Sequence, residues 1–294
     1  MENAVAYKKQ NSKVESTVQR KKRASNTIIF IILCALVVVF LYPIIFIVIN
    51  SFKGKFFISE NPFALPTAQT FSGLTNYISG LERTGFFSAM GWSFFITILS
   101  VAVIIFFTSM TAYYITRVKS KGTNVLYYLF VFSMIVPFQM VMFTLSKFAN
   151  MLHLSNPLGI IIVYLGAGLA VFMFTGFVKS ISLEIEEAAM IDGCTPLQMY
   201  FRVVFPILRP TAVTVAILEA MWVWNDYLLP SLVLNINQYK TIPIAIQYLK
   251  QSHGMIDWGA MMAMLVLAIL PIVIFYIVCQ KYIIEGVLAG AVKG

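Results

Sequence analysis

Only 11% of this 294-residue sequence is charged, and the side chains able to do polar chemistry fall into two sets. One is a run of acids, Glu184, Glu186, Glu187 and Asp192, within residues 182–210. The other is Glu219 and Asp226, inside an otherwise apolar stretch. Seven residues apart, they fall on one helix face with Trp222 between them. With Asn225, and with Gln139 from an earlier apolar run, they could hydrogen-bond the hydroxyls of a polar solute while the indole stacks on its ring. The bland alternative is hydrogen bonding between helices or, for Asp226, nearness to a polar interface. Covalent chemistry has little to work with, because the sequence holds no HExxH, no GxSxG and no paired catalytic histidines, which weakens an enzyme reading. It also lacks a GxxxxGK[ST] loop to cradle ATP. His153 and His253 belong to no metal-spaced set, and Cys34, Cys194 and Cys279 form no CxxC pair, so no zinc site or disulfide framework is indicated.

The elements that position these residues must lie in lipid. The chain is 60% hydrophobic with a mean hydropathy of +0.85, whereas a soluble domain carries about 25% charge. A membrane-crossing helix needs about 20 apolar residues. Residues 27–49 supply one, and further charge-free stretches lie between Arg83 and Arg117, Lys121 and Lys147, His153 and Lys179, and Asp257 and Lys281. A sixth, residues 210–232, is interrupted only by Glu219 and Asp226, and acids in a span usually face a bundle interior or a watery cavity. The expected architecture is an all-α membrane protein with six transmembrane helices. The first run has Pro43 inside it and exceeds a cleaved signal core, so it is read as an uncleaved span.

The net charge of +9 could suit nucleic acid, but its distribution excludes that reading. Seven basic residues (Lys8, Lys9, Lys13, Arg20, Lys21, Lys22, Arg23) precede the first span, where they would meet anionic lipid. With the N-terminus inside, 15 of the 21 Lys and Arg residues fall on the cytoplasmic side and six outside. Both termini are therefore expected to be cytoplasmic. The expected organisation is a basic tail (1–26), a first span (27–49), an outer loop (50–85), a core of five spans (86–283) and a cytoplasmic tail (284–294). The core contains a cytoplasmic loop at residues 180–210.

That loop reads as two short helices. Ser182 can cap a helix whose acidic first turns suit its positive end. Asp192-Gly193 should close it, and Thr195-Pro196 should open the next. About nine residues are too few for a stable isolated helix, so a partner groove is the expected holder. Ile181, Ile185, Ala188 and Ala189 offer it an apolar face.

Glu187-Ala188-Ala189, Asp192-Gly193, Phe201, Val204, Pro206 and Pro210 together resemble the EAA loop of ABC importer permeases. Three further segments narrow the resemblance to the maltose-type and multiple-sugar permeases: Trp224-Asn225-Asp226-Tyr227-Leu228-Leu229-Pro230, Val136-Pro137-Phe138-Gln139, and the C-terminal Gly286-Val287-Leu288-Ala289-Gly290-Ala291-Val292-Lys293-Gly294. It covers the chain from about Phe86 onward. Cys194 stands where that family commonly has Ala.

The resemblance implies a type I ABC importer permease fold in a bacterial plasma membrane, and half of a translocation path for a sugar, with an oligosaccharide as the expected substrate class. It implies a docking surface formed by Glu187, Ala188 and Ala189, with Asp192 and Gly193 at the turn and Pro206 downstream. It further implies four kinds of partner: a second homologous permease, two cytoplasmic ABC ATPase subunits, an extracytoplasmic solute-binding protein and the sugar. No cofactor is expected on this chain, ATP and Mg being held by the ATPase. The residues leave open a homodimer, a polyamine or other polar solute, and a channel or membrane-embedded enzyme. A channel, however, would not need an ATPase-docking helix.

Overall fold

A computed structural model describes residues 2–250 and 256–291, with side chains for residues 26–249 and 256–282. The basic side chains of the N-terminal tail, His253 and the side chains of the C-terminal Gly-Ala segment lie outside the described residues. In chain order the helices are α1 (Glu2–Ser51), α2 (Lys55–Glu60), α3 (Thr75–Thr84), α4 (Phe86–Arg117), α5 (Lys121–Ile135), α6 (Phe138–Met151), α7 (Pro157–Tyr164) and α8 (Gly168–Val178). They continue as α9 (Leu183–Ile191), α10 (Pro196–Gln198), a π-helical turn (Met199–Val204), α11 (Phe205–Asn225), α12 (Leu228–Val233), α13 (Ile242–Gln247) and α14 (Trp258–Ala291). Extended pairing among the described residues is limited to one isolated antiparallel bridge, Lys53 with Phe71.

Four stretches are long and apolar enough to cross a bilayer unbroken: Asn26–Ser51, Phe86–Arg117, Pro196–Asn225 and Trp258–Tyr282. The other two expected spans are bent pairs, so the count of crossings is between four and six. α5 and α6 meet at 111°. Val136 is extended and Pro137 lacks an N–H, so the hydrogen-bond ladder stops between them. α7 and α8 are bent by 46°. The fifth expected span also differs from residues 210–232: it begins at Pro196 and ends at Asn225, because Asp226 turns extended there.

α4 is the central post. Its Ile104 and Ala112 are fully buried together with Phe174 and Val178 of α8, Val204 of the π turn and Leu208 of α11. A second cluster at the opposite end joins Phe86 and Ala89 of α4 to Ala245 of α13 and Ala263 and Met264 of α14. Gly168 lets α8 approach α5, since a Cβ there would stand 2.5 Å from both the Phe130 carbonyl and Ser133 Oγ. Outward faces are apolar, with Phe40, Ile135 and Met140 more than 70% exposed, as suits helices solvated by acyl chains.

The segment following α1 is pinned rather than loose. The Asn76 amide donates to the carbonyls of Ser51 and Lys53, each at 2.8 Å. Lys53 Nζ donates to the carbonyls of Asn61 (3.1 Å) and Pro62 (3.3 Å), and burial of this ammonium lowers its pKa. Arg83 at the end of α3 pairs with Asp257 before α14 at 2.6 Å.

Candidate functional site

The loop between α8 and α11 folds as its caps dictate. Ser182 Oγ accepts from the Glu184 N–H at 3.3 Å, and α9 runs nine residues with Glu184 and Glu186 in its first turn. Gly193 follows the C-cap at φ +84. A Cβ there would meet nothing within 4 Å, so glycine is needed for the backbone angle and not for space. Thr195 and Gln198 form a reciprocal capping box around Pro196. The π turn that follows buries Met199, Tyr200 and Val204.

The apolar face expected to meet a partner is split in the structure. Ile181 is buried and Ala189 half-buried against the core, but Ile185 and Ala188 face out beside Glu187. The residue turned inward is Glu186, at 3% exposure, while Ile191 is 86% exposed. Leu183, Met190 and Leu197 are exposed too. A short helix that hides an acid and displays aliphatics has its polarity inverted relative to a helix lying on a protein body in water. Asp192 is exposed, and Pro206 is half-buried in the first turn of α11.

Three donors meet Glu186. Arg117, the last residue of α4, donates from Nε (2.8 Å) and Nη2 (2.6 Å) to Oε1. Tyr113, one turn earlier, donates to Oε2 at 2.9 Å. Arg117 Nη2 also reaches the Ile181 carbonyl at 3.1 Å. Tyr113 stacks obliquely on Tyr200 of the π turn, their centroids 5.6 Å apart, and the Tyr200 hydroxyl hydrogen-bonds Ser109 of α4 at 2.6 Å. In the sequence Arg117 is marked only as the charge that closes a long charge-free run, and Tyr113 carries no signal of its own.

The second residue set is divided by the fold. Glu219 is 2% exposed and lies on the buried stripe of α11 with Leu208, Ala212, Val215 and Val223. Trp222 is 57% exposed, at the edge of that stripe. Asn225 is exposed, and its amide donates to the Met221 carbonyl at 2.7 Å. Asp226 Oδ2 accepts from Tyr164 of α7 at 3.0 Å, and its Oδ1 accepts the N–H groups of Leu228 (2.9 Å) and Leu229 (3.3 Å). This carboxylate therefore starts α12 and ties it to α7. Gln139 is exposed in the first turn of α6, just past the break at Pro137. His153 is exposed at φ +56, and among the described residues no three His, Cys, Asp or Glu side chains could jointly hold a metal.

Comparison with known proteins identifies the family. Residues 104–288 match the family described as binding-protein-dependent transport system inner membrane component. A probable starch degradation products transport system permease protein, AmyC, from Thermoanaerobacterium thermosulfurigenes is 39% identical, over 85% of this chain and 91% of its own length. The multiple sugar-binding transport system permease protein MsmG of Streptococcus mutans serotype c is 36% identical, over 87% of this chain and 93% of its own. Among solved structures, a chain of a bacterial ABC transporter involved in the import of the acidic polysaccharide alginate superposes with a TM-score of 0.73 at 25% identity, covering 90% of this chain and 98% of that one.

Proposed function

This chain belongs to the family of binding-protein-dependent transport system inner membrane components, and on that premise we propose that it is one permease half of an ATP-driven sugar importer. The substrate class is an oligosaccharide, which the sugar-transport relatives AmyC and MsmG support. The observation that carries the drive mechanism is the displayed face of α9: Ile185, Met190 and Ile191 stand exposed beside Glu187 and Ala188. Such a face on a helix too short to stand alone suits insertion into a groove of a separate protein. That protein is a cytoplasmic ATPase, present as two copies, which holds ATP and Mg. Glu187 would pair with a basic residue of the groove, Ala188 and Ala189 would allow close approach, and Asp192, Gly193 and Pro206 would set the angle to α11.

The rest of the complex follows from the same reading. A second, homologous permease completes the path, and an extracytoplasmic solute-binding protein delivers the sugar. The permease sits in the bacterial plasma membrane with both termini cytoplasmic, a topology supported by the 15-to-six distribution of basic residues. No nucleic acid takes part. Trp222, Asn225 and Gln139, whose exposure suits contact with a passing solute, are the path candidates. Glu219 and Asp226, turned into their own subunit, shape the wall behind them.

The test is affinity capture of the membrane complex with tagged permease. Wild type should retain an ATPase subunit carrying a phosphate-binding loop. Gly193→Asp should insert in the membrane yet lose transport and most of that ATPase, because an L-residue at positive φ misdirects α9. Normal ATP-coupled uptake by Gly193→Asp would sink the assignment.

A further inference from the structure

Within α9 only Glu186 is buried and Ala189 half-buried; the other seven residues are exposed. Among the described residues, Glu186 is the α9 side chain with hydrogen bonds to another element, and those bonds occupy both of its oxygens. Its partners Arg117 and Tyr113 sit on the last turns of α4, the 32-residue post around which both buried clusters form. The Arg117 and Glu186 side chains are 17% and 4% exposed, so the pair is shielded from salt and water that would weaken a surface bridge. Arg117 also holds the Ile181 carbonyl, which fixes the point where the chain enters α9. Tyr113 and Ser109 contact Tyr200, so the same three turns of α4 grip the chain before α9 and after it.

We propose that Arg117 and Glu186 are positioning residues for coupling: the buried pair, seconded by Tyr113, is the strut through which displacement of α9 moves α4. This rests on the reading that α9 docks on an ATPase, and it adds the route by which that docking reaches the spans. Packing alone would let a nine-residue helix bearing one half-buried alanine rock on its seat. A guanidinium held at once to a carboxylate and a backbone carbonyl resists both rocking and sliding. Coupling carried this way requires that α9 and α4 move as one body between two states.

The experiment uses the whole complex, with permease, ATPase and binding protein in liposomes, and reads solute imported per ATP hydrolysed. Variants are Arg117→Lys, Arg117→Gln, Glu186→Gln and Tyr113→Phe, and ATPase retained in affinity capture is measured for each. The strut predicts that every variant keeps its ATPase while the import ratio falls in graded order. Arg117→Gln should lose about tenfold or more, in the range of ordinary coupling energies. Arg117→Lys, which keeps the charge but not the fork, and Tyr113→Phe should lose less. Import per ATP unchanged in Arg117→Gln would overturn the proposal. Equal loss in Arg117→Lys and Arg117→Gln, or loss accompanied by failure to hold the ATPase, would overturn it in favour of a purely structural pair. If wild type itself retains no ATPase, the docking reading fails first, and that outcome is separate from failure of the strut.

Discussion

At the scale of single residues, carboxylates that look alike in sequence do different work. Asp226 is a local organiser, accepting from Tyr164 and from the first N–H groups of α12. Removing such a cap costs about 1 kcal/mol, and the lost tyrosine bond adds a similar amount. Asp226→Ala should therefore lower the thermal midpoint of the purified protein by several degrees, about 2–4 °C for each kcal/mol at this chain length. Asn225→Ala should leave that midpoint in place, since its amide bonds only within its own helix turn, while slowing uptake if Asn225 lines the path. Equal melting shifts for the two variants would contradict the division drawn between them. The seven-residue spacing put Glu219 and Asp226 on one face of an ideal helix. It could not show that α11 ends between them, because the break depends on Asp226 finding Tyr164, 62 residues earlier in the chain.

At the scale of elements, the caps of the cytoplasmic loop were legible because each is a local interaction. Ser182, Gly193 and Thr195-Pro196 sit where short-range hydrogen bonds and one positive φ require them. Which side of α9 faces the body was not legible. Ile181, Ile185, Ala188 and Ala189 were expected to face a partner groove; Ile185 and Ala188 do stand exposed, but Ile181 and Ala189 turn to the body, where the guanidinium of Arg117, 69 residues away, holds Glu186 inward. The consequence can be checked on the displayed face. Ile191→Asp puts a charge where an apolar groove is expected and should cut ATPase retention several-fold without altering the melt, because the side chain is 86% exposed in this subunit. Met190→Leu, a swap of similar volume, should retain it. ATPase retention unaffected by Ile191→Asp would remove α9 from the interface.

At the scale of the whole molecule, the expected runs were all present as helix, but run length alone did not distinguish a straight span from a bent pair. Pro137 carried the signal for the α5–α6 break, though not the 111° angle it produces, which depends on where α6 finds α12. Sidedness can be read independently of any transport assay. With Cys34, Cys194 and Cys279 replaced by Ser, a cysteine at exposed Phe56 should react with an impermeant maleimide added to whole cells or spheroplasts. One at exposed Lys119 should react only in inverted vesicles. The reverse pattern would overturn the orientation.

The most direct single measurement is uptake of a labelled oligosaccharide by liposomes containing this chain, its permease partner and its ATPase, with binding protein and sugar outside and ATP sealed inside. Uptake that needs both ATP and binding protein, and that Gly193→Asp abolishes, is the predicted result. Sugar entry that proceeds without ATP, or that persists at wild-type rate with Gly193→Asp, would contradict an importer driven through α9.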